Sequence, residues 1–351
     1  MTHRKRGIWS RTTIGSAALA ALAVLAVQGC APATSAAAAH ATADAGVQHD
    51  LSIAAAQVAY QTYLTKSDAA AAQGDSVAGL AIVADAQWAQ VKGQYTALTA
   101  AGTLVPRYQY SAPQFYVPAE SKYPQWFLVS AQRRADTNGQ LGPAVTTLLV
   151  FEHAKAALRW TLNGSATLDQ GQTLPVIATD PDGYAVDVPT TDTNLVLTPN
   201  VVGATQAAVV DEGPANPAAA VTGSGPQTTG LYAAQAARAR AETAQGLQYQ
   251  WLLAGAPFPQ FELGLKGGGA LVLYGMYLNT TTEHPNLRSG SPIPVPAAFT
   301  PLLAAPTEVG YHAVYANSTY QFAAIDPLAT APNAKIDVIA SGSGPSYGHA
   351  Y

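Results

Sequence analysis

The chain has a single cysteine, Cys30, among 351 residues. One cysteine cannot close a disulfide within the chain, so packing and hydrogen bonding must hold the fold together. Charge is scarce too. Asp, Glu, Lys and Arg make up 11% of the residues, against about 25% in ordinary domains, so the polar surface must be built largely from Thr, Ser, Gln and Asn. No apolar run reaches the roughly 20 residues that a bilayer-spanning helix needs. There is no His-x-x-x-His pair and no dinucleotide or P-loop glycine pattern leading into a helix. Those absences remove the usual sequence signals for a zinc protease and a nucleotide cradle.

What is present begins with an export signal. Arg4, Lys5, Arg6 and Arg11 stand before an apolar run from Ile14 to Gly29, with no acid among them. A basic segment followed by a short apolar one is read by the secretion machinery. Without paired arginines, a Sec-type route is expected. The run ends in Val27-Gln28-Gly29-Cys30, which resembles the lipobox of bacterial lipoproteins. Gln28 departs from that pattern, whose position before the glycine is usually small. The resemblance implies that residues 1–29 are a signal peptide and that Cys30 becomes thioether-linked to diacylglycerol. Two acyl chains hold a protein firmly where one does so only marginally. Residues 30–50 then read as the lipidated cysteine and a flexible Ala-rich tether, too poor in large apolar residues to fold alone. The expected location is the extracytoplasmic face of the cell membrane.

The whole chain carries 17 basic and 21 acidic residues. Removing the signal's four basic residues leaves 13 against 21, a balance of −8. An acidic chain without a basic stripe is a poor nucleic-acid binder, and charge would not hold it on an anionic membrane. Its Ala-rich, Arg-over-Lys composition is associated with actinobacteria. Hydrophobic residues at 48% are ample for a core, and about 300 residues beyond the tether suggest two domains of ordinary size.

Residues 51–72 are Ala-rich and free of proline, and Gly74-Asp75 ends the run. Val77, Leu80, Ala84, Trp88, Val91, Tyr95 and Leu98 then recur at spacings of three and four, which predicts a second helix closed at Ala101-Gly102. Beyond Pro106 the period changes to two, and about four antiparallel strands are expected, with a hairpin at Asp136-Thr137-Asn138-Gly139. The order then repeats. Helices are predicted over 199–212 and Thr229–Leu247. Strands follow at 261–265, 271–279, 311–315, 320–325 and 336–339, with Gly342, Gly344 and Gly348 in a mobile tail. This describes an α+β chain with two consecutive helix-helix-antiparallel-sheet domains, residues 51–192 and 193–351. Such domains suit a cone-like fold of the nuclear-transport-factor-2 type.

The runs APQFYVPAESKYPQWFLVSAQ (112–132) and LGLKGGGALVLYGMYLNTTTEHP (263–285) resemble segments of an uncharacterised family of actinobacterial lipoproteins. The resemblance extends over most of residues 51–341. It implies the location and the architecture and carries no catalytic residue.

Candidate chemistry is thin. Gly74-Asp75-Ser76 is similar to a lipase block but falls between helices, so a capping role is expected. Asp180-Pro181-Asp182-Gly183 lacks the spaced ligands of a calcium loop and reads as a turn. Gly267-Gly268-Gly269 precedes a strand and reads as a hairpin turn. No cofactor or metal is expected. The aromatic residues offer a candidate apolar pocket from Trp88, Trp126, Trp160 and Tyr274. The expected role is non-catalytic binding or scaffolding at the cell envelope, with an envelope protein or a small apolar ligand as partner. The alternative is a pocket hydrolase or isomerase using a buried carboxylate.

Overall fold

The computed structural model describes residues 51–285 except 121 and 138, together with 291–303 and 311–351. The signal peptide, Val27, Gln28, Gly29, Cys30 and the tether to residue 50 lie outside the described residues. The chain from Val47 to Tyr351 forms one compact unit.

Helix α1 (Ile53–Gln73) starts where the Ser52 side chain accepts from the Ala55 amide at 3.1 Å and stops at Gly74, whose φ of 64° is the left-handed conformation of a helix C-cap. Asp75 caps the short helix α2 (Ser76–Leu80) by accepting from the Ala78 amide at 3.0 Å, so the Gly-Asp-Ser stretch is a helix boundary. The single helix expected over 77–98 is in fact two. The chain leaves α2, and the backbone at Ile82 and Ala84 bonds both sides of Leu162 before α3 (Asp85–Ala100) begins. The β-branched pair Ile82-Val83 serves as a one-residue strand there, an outcome that apolar spacing alone does not distinguish from helix.

Five strands follow: β1 (Arg107–Tyr116), β2 (Gln125–Thr137), β3 (Gln140–Leu141), β4 (Val145–His153) and β5 (Thr161–Leu168). Gly139, with φ 83°, closes the expected β2–β3 hairpin. After an extended stretch with a turn at 180–184, the second half supplies α4 (Val202–Glu212) and α5 (Thr229–Ala244). Strands β6 (Gln248–Gly255), β7 (Phe261–Gly264), β8 (Ala270–Glu283), β9 (Ala313–Asp326) and β10 (Asp337–Ala350) complete the chain. Three glycines at φ 93–101° make the β7–β8 turn.

The second half departs from expectation in three ways. Strand β6 had no predicted counterpart. The strands expected at 311–315 and 320–325 are one strand, β9. The glycine-rich tail is strand β10, paired with β9 through Ala350. Its glycines are there for space. A Cβ on Gly342 would lie 2.3 Å from the Ser165 carbonyl oxygen, and one on Gly344 would lie 2.9 Å from Gln90.

All ten strands form one antiparallel sheet with β1-β2-β4-β5-β10-β9-β8-β6 as its path. The division expected at residue 192 is not confirmed, because β5 of the first half pairs with β10 of the second at Leu168–Ala340 and Thr167–Ser341. Nor is a separate cone in each half. The sheet curls so that Trp126 of β2 meets Phe261 of β7 at 5.0 Å, enclosing a central core that includes Leu128, Leu148, Leu263, Leu271 and Ile339. Outside it, α4 and α5 cover Val272, Tyr274, Met276 and Phe322. On the other side, α1 and the Ile82-Val83 segment cover Phe127, Val129, Leu149 and Phe151.

Candidate functional site

Strand alternation builds the site. In β2 the even residues Trp126 and Leu128 face the central core, and the odd residues Phe127, Val129 and Ala131 face the α1 side. Two residues further the same alternation sets Arg133 on the α1 side, opposite Tyr110 of β1. Thr167 of β5 and Ser341 of β10 lie side by side on that face.

Between this face and the helices lies a cavity of about 590 Å³. Leu64, Ile82, Val91 and Leu98 give it an apolar helix wall. Arg133, Thr167, Ser341 and Ser343 give it a polar sheet floor. Gln321 of β9 joins three lining residues, Gln87, Gln90 and Ser165, from behind. Its side-chain amide donates to Gln87 at 3.0 Å and Gln90 at 2.7 Å, and its oxygen accepts from the Ser165 amide. One buried side chain thus ties α3 to both halves of the sheet.

The electrostatics are uneven. At the rim Arg107 makes a two-pronged pair with Asp68, at 2.6 and 2.7 Å. Both side chains are more than 40% exposed, so solvent screening leaves the pair little net stabilisation. Inside, the Arg133 guanidinium lies 4.8 Å from the Tyr108 ring centroid and donates to Thr167 at 3.1 Å. Burial pushes the Tyr110 hydroxyl up to about 12, with Arg133 opposing the shift. Burial also raises Tyr63, which lines the same cavity.

The buried acids lie elsewhere. Asn163 donates through one nitrogen to Asp85 at 2.6 Å and to Glu152, while its oxygen accepts from Thr161 at 2.8 Å. Burial, and secondarily Asp85, raises Glu152 to about 6. Glu262 on β7 is 4% exposed and rises to about 8, from burial first and Asp187 second. Asp326 is fully buried and rises to about 6 from burial, against amide hydrogen bonds from Leu197 and Val196. None of these carboxyls lines the large cavity. Among the described residues no cluster of His, Cys, Asp and Glu is arranged to hold a metal.

The four aromatic residues of the candidate pocket do not come together. Trp88 is 40% exposed on α3, with the Lys92 ammonium 5.1 Å from its ring. Trp126 is in the central core against Phe261. Trp160 packs on Phe127 and His153. Tyr274 is buried under α4 and donates to Gln206 at 2.7 Å. The cavity is formed instead by residues without a motif, among them Tyr63, Tyr95, Tyr110 and Arg133. The one sequence signal for the floor is the switch in β2 from an apolar run to Arg133-Arg134.

Fold and site together define an α+β protein with a helix-covered cavity on one large antiparallel sheet. The chain belongs to the family described as Domain of unknown function (DUF8094), whose model matches residues 47–341. No curated protein and no solved structure matches it.

Proposed function

We propose that this protein is an exported, lipid-anchored envelope protein of actinobacterial type that binds a small molecule in the cavity between α1, α3 and the sheet. The observation that carries the reading is the cavity itself, at the lower-middle of the range of small-molecule sites, about 300–1,000 Å³. Its lining supports binding over catalysis. An acid–base enzyme would place carboxyls with raised pKa in its cleft; here these are Asp85, Glu120, Glu152, Asp187, Asp211, Glu262 and Asp326, and none of them lines it.

The anchoring part rests on the Val27-Gln28-Gly29-Cys30 sequence and the low-complexity segment after it. No described helix is long and apolar enough to cross a membrane, and attachment through diacylglyceryl-Cys30 needs none. The test is extraction. Organic extracts of the purified protein and of a Val91→Trp variant, whose indole fills the helix wall, are compared by mass spectrometry. A compound present in the first and lost from the second supports the reading. Identical extracts contradict it.

A further inference from the structure

Arg107 and Arg133 line the same cavity and differ in one respect. Arg107 is neutralised by Asp68 at the rim. Arg133 is set deeper, and among the described residues no carboxylate forms an ion pair with it. A half-buried guanidinium without a counter-ion is costly unless something supplies the missing charge. Its surroundings hold the group in place without neutralising it. Tyr108 offers a ring face, Thr167 and Tyr110 hydroxyls, and the neighbouring floor the hydroxyls of Ser165, Ser341 and Ser343. A guanidinium carries more N–H donors than these contacts use, in a fork that matches a two-oxygen anion. The facing wall of Leu64, Ile82, Val91 and Leu98 is apolar.

We propose that the ligand of this cavity is an anionic amphiphile, with a carboxylate-like group on Arg133 and an apolar body along α1 and α3. This rests on the small-molecule reading above and assigns the chemical class. The floor hydroxyls complete the anion's shell, and the Arg107–Asp68 pair closes the rim without competing for the anion.

The test is calorimetric titration of the Val47–Tyr351 unit at pH 7.5 with decanoate and, separately, decan-1-ol, which has the same chain without the charge. Decanoate is expected to bind about tenfold or more tightly, the scale of one charge-assisted contact. Arg133→Gln should abolish that preference, while Arg134→Gln, one residue further and exposed, should retain it. Equal affinities in the parent protein overturn the anionic assignment and leave the cavity reading standing. Binding of neither probe overturns the amphiphile assignment, and a captured ligand in the native mass would still report an occupied cavity. Should Arg133→Gln fail to fold, Arg133→Lys keeps the charge and removes the fork. It should reduce the preference, and an undiminished preference in a folded Lys variant contradicts the role of the fork.

Discussion

Gly93 of α3 packs directly against Pro345 of β10, so closely that a Cβ on Gly93 would lie 1.9 Å from the Pro345 carbonyl oxygen. The contact seats α3 on the second half of the sheet and holds the helix that walls the cavity. In an isolated helix, glycine to alanine would stabilise by about 1 kcal/mol. Here Gly93→Ala is expected to have the opposite sign and cost about 1–3 kcal/mol, the range for overpacking. Urea unfolding of the two proteins checks it, and a more stable Ala variant would contradict the contact.

One sheet and one central core run through both halves of the chain, so the halves should not unfold separately. Differential scanning calorimetry is expected to give a single transition whose calorimetric and van't Hoff enthalpies agree. Two resolved transitions would restore two independent domains divided near residue 192.

Glu262 sets a pH dependence. Its folded pKa of about 8 stands above the ordinary value of 4.5. Between those values the folded chain holds a proton that the unfolded chain has released. Stability contributed by this group therefore falls as pH rises through 4.5 to 8 and is level beyond. Glu152 and Asp326, both at about 6, add the same sign up to that pH. The protein is expected to be more stable near pH 5 than near pH 8. Glu262→Gln should raise stability at pH 8 and flatten the slope above pH 6, as read by denaturant midpoints across the pH series. A variant with an unchanged slope would contradict the assignment.

Among the described residues, Asn163 is the one side-chain donor shared by Asp85 and Glu152. Asn163→Ala leaves the buried Glu152 and the half-buried Asp85 without it and should cost about 1–3 kcal/mol at pH 7.5. The loss should shrink near pH 5, where Glu152 carries its proton. An equal loss at both pH values would show a packing effect alone.

Cys30→Ser is expected to release the protein from membranes into the soluble fraction of lysed cells. Unchanged retention after a high-salt wash would contradict a lipid anchor at this residue.

Much of the fold was legible where a local rule had no rival. Gly74 and Asp75 mark helix ends through capping chemistry, and the alternation from Val145 to Phe151 is a strand, buried on both faces from Thr147 to Glu152. The rest depended on partners distant in sequence. Gly342, Gly344 and Gly348 look like a loose tail until Ser165, Gln90 and Phe299 stand against them. The helical spacing from Leu80 to Ala84 fails because Leu162 binds the backbone at Ile82 and Ala84. The aromatic residues chosen for a pocket were large enough for several cores and went to different ones. Of the cavity's own residues, Val91, Tyr95 and Leu98 share a spacing that signals a helix and not a site, and the rest are scattered over α1, β1, β2, β5 and β10.

The central claim is that the cavity under α1 and α3 holds a small molecule. Native mass spectrometry of the Val47–Tyr351 unit, exported and purified without denaturation, tests it most directly. The account predicts a mass above that of the chain, lost on denaturation and absent from Val91→Trp. The bare chain mass in the parent protein, under conditions that preserve the fold, would contradict it.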